Sequence, residues 1–214
     1  MAAVKITKDI ASVGVLNPNM RIFDVVMKTE YGTSYNAYLV KGSEKTALIE
    51  TTHRRFFEPF LENIAEAGCD KIDYIVLKHT EPDHSGALAA LTEKFPEAEI
   101  VCSRAAGIYL KNITNRELSV HAVKDGEELS LGDKTLRFLI APFLHWPDSM
   151  FTYCPEERAV FTCDFLGAHY CEPRMLSQHV TYPKAYDAAF LYYYQAIFGP
   201  FPDYVQKGLD KLSD

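Results

Sequence analysis

The amino-acid sequence predicts an α/β fold in which a mixed β-sheet forms the core and helices connect many of the strands. Short apolar runs typical of strands alternate along the chain with segments whose apolar residues recur at helical spacing. The 214 residues are enough for one domain with a sizeable core. No internal repeat or low-complexity linker interrupts them, so residues 1–214 are expected to form a single domain.

Three strand-like runs and one helix account for the first part of the sequence. The runs cover residues 21–26, 33–40 and 45–50. Apolar residues at helical spacing then predict a helix over 55–67. Gly68 follows the last apolar position and is typical of the residue that ends a helix.

A compact apolar strand over 74–77 leads into a polar loop over 80–86. From residue 183 onward the chain is predicted to be helical, with an interruption at Gly199-Pro200. Between these regions helices and strands continue to alternate. The remaining predictions are helices at 87–95, 105–112 and 205–212 and strands at 99–102, 117–123, 129–131, 135–141, 150–153 and 159–162.

Composition and charge exclude several classes of protein. The sequence is 48% hydrophobic and 24% charged, which is ordinary for a globular domain. Its net charge of -7 argues against nucleic acid as a partner, since nucleic-acid-binding proteins usually carry a basic face. Neither a membrane span nor the apolar core of a secretory signal is present, so we expect a cytoplasmic protein. The five cysteines include no C-x-x-C pair and are expected to be reduced thiols.

Four residues with metal-binding side chains lie in the loop that follows the compact apolar strand. His79, Glu81, Asp83 and His84 are all good ligands for hard or borderline metal ions. In an extended loop, the side chains of His79, Glu81 and Asp83 would point the same way. The alternative interpretation is a solvated polar loop in which Asp83 caps the following helix.

Two later segments place further ligand types at the ends of strands. His145 lies in a loop after the strand predicted over 135–141, and Asp164 follows the strand predicted over 159–162. Taken alone, either residue is more often structural than functional. Three strand ends that all carry such residues form a constellation, which favours a metal site.

This constellation resembles the metallo-β-lactamase superfamily, whose fold is an αββα sandwich of two sheets with helices on the outer faces. Glu81 stands where the hydrolases of that superfamily usually have His, and in this respect the sequence resembles the flavodiiron proteins. The similarity extends over nearly the whole chain. It rests on the combination of Gly32-Thr33-Ser34-Tyr35-Asn36-Ala37-Tyr38-Leu39, His145-Trp146-Pro147-Asp148-Ser149-Met150, Asp164-Phe165-Leu166-Gly167-Ala168-His169, and Tyr193-Tyr194 with Gly199-Pro200-Phe201.

The resemblance implies that the metals are two iron ions. His84 stands at a position whose side chain is an iron ligand in some members of the family and is turned away from the metal in others. A bridging acid holds two metals close enough to act on one molecule of O2 or NO, and carboxylates and imidazoles suit redox-active iron. The implied ligands are His79, Glu81 and His145 for one iron, Asp83 for the other, and Asp164 between the two.

Three departures from the family pattern lead to further expectations. In the family, the second iron takes another His from a segment beyond the long C-terminal helices, and this sequence ends before that segment. We therefore expect a sandwich that lacks its C-terminal end. The usual flavodoxin domain, which binds FMN, has no counterpart in the sequence, so FMN is expected only from a partner. Glu50 stands where the family more often has Asp after the strand.

Three further positions are candidates for roles beside the metals. His169 either hydrogen-bonds near the ligands or is a polar surface residue. Tyr193 or Tyr194 either reaches the metal pocket or packs in the core. Trp146 resembles a position that lies near the flavin of a partner subunit in the family, and its alternative role is a local packing anchor.

The resemblance implies a diiron protein that binds and reduces O2, NO or both. Electrons would come from a separate donor, either a flavoprotein or a rubredoxin-like protein, and the family implies a homodimer. One alternative is a stand-alone O2-binding sensor that acts on a signalling partner. A less favoured alternative is a zinc-dependent hydrolase, against which Glu81 counts.

Overall fold

Short β-strands make up the central layers of the molecule, as seen in a computed structural model that describes residues 3–213. Their sequences are rich in β-branched and aromatic residues, which favour strands. In chain order the strands are β1 (Val4–Lys5), β2 (Ile10–Ser12), β3 (Val15–Asn17), β4 (Ile22–Phe23), β5 (Met27–Lys28), β6 (Thr33–Tyr35), β7 (Tyr38–Lys41), β8 (Thr46–Ile49), β9 (Tyr74–Leu77), β10 (Glu99–Ser103), β11 (Val120–Val123), β12 (Glu128–Ser130), β13 (Thr135–Ile140), β14 (Met150–Cys154) and β15 (Ala159–Phe161).

The helices lie between the strands and at the end of the described chain. They are α1 (Phe57–Glu66), α2 (Pro82–Ser85), α3 (Leu88–Lys94), α4 (Arg104–Thr114), α5 (Pro183–Tyr193) and α6 (Pro202–Ser213). A π-helical turn, Tyr194–Phe198, separates α5 from α6, and single 3-10 turns occur at Arg54–Phe56 and Ser177–His179. Among the residues described, no helix combines the length and apolar character needed to cross a lipid bilayer.

The strands form two main sheets. The seven-stranded sheet has the order β1-β2-β7-β8-β9-β10-β11, and the four-stranded sheet has the order β12-β13-β14-β15. In the larger sheet, β8, β9, β10 and β11 run parallel, whereas the pairs from β1 to β8 are antiparallel. The predicted mixed sheet is therefore confirmed. The carboxyl ends of β8, β9 and β10 consequently meet at one edge, where ligands commonly bind in such sheets.

Alternation of side chains along the strands produces a core between the two sheets and another outside the smaller sheet. Phe138 of β13 and Met150 of β14 face the seven-stranded sheet, where they pack with Val76 of β9. Leu139 and Phe151, the next residues along β13 and β14, face the opposite side and pack with the C-terminal helices. This alternation is the expected consequence of strand geometry, in which successive side chains point to opposite faces.

Helices cover the outer faces of both sheets. Phe60 and Ile64 of α1, together with Leu110 of α4, pack on the outer face of the larger sheet. Tyr193 of α5 and Val205 of α6 pack on the outer face of the smaller sheet. The order helix, sheet, sheet, helix confirms the αββα sandwich that the resemblance implied.

Two of the strands predicted near the N-terminus are divided in the structure. The run 21–26 folds as the hairpin of β4 and β5, because Asp24 and Val25 have positive φ angles of 46° and 69° and reverse the chain. The run 33–40 is broken after Tyr35, so that β6 pairs with β3 while β7 joins the large sheet. In both runs the apolar pattern predicts extended backbone correctly but contains no signal for the break.

The polar loop predicted over 80–86 contains a helical turn. Glu81 has extended φ and ψ angles of −55° and 144°, as expected for a residue before proline. Pro82 then starts α2, and the backbone N–H of Ser85 donates to the carbonyl of Glu81 at 2.9 Å. Asp83 therefore belongs to a helical turn, and it does not form an extended row with His79 and Glu81.

Candidate metal centre

The candidate ligands come together at the edge where the parallel strands end. His79 follows β9 by two residues, and Asp164 follows β15 by three. His145 lies in the connection between β13 and β14, while Asp83 and His84 belong to α2. The ligands therefore come from segments attached to both sheets, and the packing of one sheet on the other brings these distant segments together.

Four side chains form a tight group on one side of the centre. His79 Nε2 and His145 Nε2 lie 3.1 and 3.2 Å from the same oxygen, Glu81 Oε2. The Oδ2 atom of Asp164 lies 3.5 Å from His145 Nε2 and 3.7 Å from His79 Nε2. One ligand atom from each of the four residues lies within 4.8 Å of the others, so a single metal ion can contact all four.

Asp148, which the sequence analysis did not single out, orients His79. Both residues are fully buried, and Asp148 Oδ1 accepts a hydrogen bond of 3.1 Å from His79 Nδ1. The other oxygen of Asp148 accepts from the backbone N–H and the hydroxyl of Thr80 at 2.8 and 2.6 Å. A carboxylate only accepts hydrogen bonds, so the proton of a neutral His79 is on Nδ1 and its lone pair on Nε2 faces the ligand group.

Asp164 has a second oxygen that faces the other side of the centre. Its Oδ1 atom lies 3.0 Å from His84 Nε2, and Asp83 Oδ2 lies 3.6 Å from the same nitrogen. Asp164 thus contacts His79 and His145 through one oxygen and His84 through the other. This arrangement fits the bridging role that the resemblance implied for Asp164.

Glu50 holds the opposite nitrogen of His84. The buried Glu50 carboxylate accepts from His84 Nδ1 at 2.6 Å and from the backbone N–H of Lys78 at 2.5 Å. His84 Nε2 is therefore directed toward Asp83 and Asp164, and the structure places this side chain inside the centre.

The protonation of the centre follows from the close contact of acids and imidazoles. Burial raises the pKa of Glu81, but hydrogen bonds from His145 and His79 outweigh it and lower this pKa to about 2. For His145, Asp164 and Glu81 outweigh the opposing effect of burial and raise the pKa to about 9. Burial dominates at Asp83 and raises its pKa to about 6. A metal bound here therefore displaces protons from histidines.

The residues present fit a metal centre. Asp83 Oδ1 and Asp164 Oδ2 are buried and have no hydrogen-bond partner within the described residues, which is costly unless a cation contacts them. Imidazole and carboxylate ligands without a thiolate in the four-residue group suit iron, manganese or zinc. The donor set is thus compatible with the two irons that the resemblance implies.

A cavity of about 300 Å³ opens beside the second side of the centre. Asp83, His84 and Asp164 line it, together with His169 and Tyr193. The structure therefore places these last two residues next to the centre, as the hypothesis of a pocket role required. Another lining residue, Cys163, was not singled out because a lone Cys in a strand end carries no sequence signal.

His169 and Tyr193 pack against each other at the cavity wall. Their ring centroids are 4.9 Å apart in an edge-to-face arrangement, and His169 Nδ1 forms a hydrogen bond of 2.8 Å with the Thr33 hydroxyl. Burial lowers the pKa of His169 to about 4, so its ring is neutral at physiological pH. Tyr194, the alternative to Tyr193, is more exposed and does not line this cavity.

Trp146 packs against the ligand histidines. Its ring lies edge-on to His79 at 4.9 Å and to His145 at 6.4 Å between centroids. Trp146 therefore serves as a local packing anchor, which was one of its two predicted roles. Its role toward a partner's flavin stays a prediction.

The fold and the candidate metal centre define the class of this protein, and comparison with known proteins identifies its family. The αββα sandwich and the group of His, Glu and Asp define a metallo-β-lactamase-like protein with a candidate metal centre. A family model described as "ODP family beta lactamase" matches residues 33–196. The chain belongs to the flavodiiron protein family.

Individual relatives agree with this assignment. The chain is 58% identical to flavo-diiron protein FprA2 of Clostridium acetobutylicum, over 99% of this chain and 54% of the relative. It is 37% identical to a nitric oxide reductase of Moorella thermoacetica, over 98% of this chain and 53% of the relative. The structure of rubredoxin oxygen:oxidoreductase from Desulfovibrio gigas superposes with a TM-score of 0.94 and 33% identity, covering 99% of this chain and 53% of that one.

The chain thus spans about half the length of the curated relatives that it matches. The match to solved structures covers nearly all of this chain, including its helical C-terminal part. That match gives no support to the expectation that the sandwich lacks its C-terminal end.

Proposed function

We propose that residues 1–214 form a diiron domain that binds and reduces O2, NO or both. His79, Glu81 and His145 would hold one iron, Asp83 and His84 would hold the other, and Asp164 would contribute one oxygen to each. The observation that carries this proposal is the position of Asp164. Its two oxygens face two different sets of candidate ligands, at 3.5 Å from His145 and 3.0 Å from His84.

Paired ferrous ions supply electrons and adjacent binding positions for a diatomic molecule, which is the chemistry that O2 or NO reduction needs. The protein contributes the orientation of the ligands and a hydrogen-bond donor. Asp148 and Glu50 fix the orientation of the His79 and His84 rings. Tyr193 lines the cavity beside the centre with a phenol whose pKa burial raises, so this group stays protonated and can donate a hydrogen bond to a molecule in the cavity.

Reduction of O2 or NO also needs electrons from outside the domain. We propose a separate donor, either a flavoprotein or a rubredoxin-like protein, because one structural relative is named rubredoxin oxygen:oxidoreductase. FMN enters this scheme only from a partner, and Trp146 is the residue proposed to face it. The active form is proposed to be a homodimer. Trp146 is only half-buried while it contacts both His79 and His145, which places it between the centre and the surface.

Metal analysis followed by anaerobic gas titration tests the proposal. The iron-loaded chain is expected to contain about two irons and to react with O2 or NO after reduction, with repeated turnover when a reduced flavoprotein or rubredoxin is added. Reversible O2 binding without turnover under any donor would favour the sensor over the reductase. Zinc as the native metal together with ester hydrolysis would overturn the diiron proposal.

A further inference from the structure

A second group of metal-binding side chains lies on the cavity wall, on the far side of the His84 ring from Asp164. It consists of Glu50, His84 and Cys163, whose ligand atoms all lie within 4.8 Å of one another. This group uses Nδ1 of His84, whereas the proposed diiron site uses Nε2. The two groups therefore share one imidazole ring but face opposite edges of it.

The distances within this group are close to those of a tetrahedral metal site. Cys163 Sγ lies 3.6 Å from His84 Nδ1, and the Zn–S and Zn–N lengths of a tetrahedral zinc site place the two atoms roughly 3.5 Å apart. Glu50 Oε2 lies 2.6 Å from the same nitrogen, so it has to move away by roughly 0.7 Å to become a ligand.

The backbone holds two of the three ligands in place before any metal binds. Glu50 and Cys163 both have positive φ angles, 66° and 60°, which is unusual for residues other than glycine and clusters at functional sites. The backbone N–H of Glu50 donates to Val76, and the Glu50 side chain accepts from the N–H of Lys78 through Oε1. Its second oxygen is thereby left for His84 or for a cation.

The nature of the ligands determines which cation fits. Cysteine supplies a soft thiolate, which selects Zn²⁺ and its heavier analogue Cd²⁺ over Mg²⁺ and Ca²⁺. Glu50, His84 and Cys163 all line the 300 Å³ cavity, so an ion reaches the group without unfolding of the core. Three protein ligands leave the fourth tetrahedral position for water.

We infer that Glu50, His84 and Cys163 form a third metal site, specific for Zn²⁺ or Cd²⁺, beside the proposed diiron centre. Binding releases two protons to the solvent, one from the Cys163 thiol and one from His84 Nδ1, which donates it to Glu50 in the metal-free site. No electron is transferred, and the metal stays divalent. Because His84 is shared, an ion in this site alters the ligand that faces Asp164, which makes the site a candidate for inhibition by zinc.

Titration of the iron-loaded chain with Cd²⁺ tests this inference through the ultraviolet charge-transfer absorption of a cadmium–thiolate bond. Wild-type protein is expected to develop the absorption up to one Cd²⁺ per chain. Cys163→Ser is expected to lose it. Cys171→Ser is the matched control, because Cys171 is also half-buried but lies outside the group, and it should behave as wild type.

A second arm uses the metal-free chain and separates this site from the proposed function. The group of His79, Glu81, His145 and Asp164 contains no sulfur, so Cd²⁺ bound there adds no thiolate absorption. Glu50→Gln, which keeps the thiol, should weaken the absorption at a given Cd²⁺ concentration. The inference is overturned if wild type shows no thiolate absorption, or if Cys163→Ser retains it, whether or not the chain binds iron.

Discussion

The two sides of the candidate metal centre are held in different ways, although Asp164 belongs to both. On the first side, His79, Glu81 and His145 converge within hydrogen-bonding distance, and fully buried Asp148 fixes the His79 ring. The second side has Asp83 and His84 beside an open cavity. It follows that four side chains meet at the first position, whereas at the second Asp83 and His84, whose ring Glu50 orients, face a cavity that a small molecule can enter.

Asp164→Ala should have the largest effect, because it removes the carboxylate that both sides share. We expect the iron content to fall from about two per chain to well below one, measured by elemental analysis after loading under argon. Glu172→Ala is the control, since Glu172 pairs with exposed Arg174 outside the centre. Unchanged iron content in Asp164→Ala would show that this residue is not shared.

His84→Ala should affect one side only. The variant keeps all four residues of the first side, so we expect it to bind about one iron and to lose the second. These four residues are His79, Glu81, His145 and Asp164. Iron analysis combined with the loss of magnetic coupling would measure this outcome. Loss of both irons would contradict the independence of the first side, and retention of both would show that His84 is not a ligand.

Asp148→Asn should weaken the first side without removing a ligand. The amide cannot accept all three hydrogen bonds that Asp148 now accepts from His79 and Thr80. Loss of such a partner typically lowers metal affinity by roughly 10- to 100-fold, which competition with a chelator would measure. Glu127→Gln is a matched control, because Glu127 accepts from the solvent-accessible His121 at 2.8 Å. An equal loss in both variants would point to a general effect of charge.

Proton release should be the smallest of these effects and should arise on the first side. The pKa of His145 in the folded chain, about 9, exceeds its ordinary value of 6.5. This group therefore stabilises the metal-free fold fully below pH 6.5, and the contribution is lost as pH rises through 9. Metal affinity should rise over the same window. Calorimetry in buffers of different ionisation enthalpy would measure the released protons, and His145→Gln should remove the share that this ring contributes.

Much of the fold and the ligand set could be predicted because the signals are local. The strand over 74–77 is a continuous apolar run, and its metal-binding residues follow it within a few positions. His145 and Asp164 were found in the same way, as metal-binding residue types a few positions after predicted apolar strands. Local sequence patterns were therefore sufficient to identify the residues that meet at the candidate metal centre.

The remaining features could not be predicted because they depend on contacts between distant segments. Asp148 and His79 are 69 positions apart, and only the folded chain shows that one orients the other. The same holds for Glu50 and Cys163, which meet on His84. The hairpin in 21–26 escaped prediction for a different reason, since its turn uses positive φ angles at residues without a turn signature.

Mössbauer spectroscopy of the oxidised, iron-loaded chain in an applied magnetic field would show whether two irons share Asp164. We expect a pair of antiferromagnetically coupled ferric ions in wild type, without net magnetisation at low temperature. Two magnetically isolated irons, or a single mononuclear iron, would contradict the claim that one carboxylate joins the two sides.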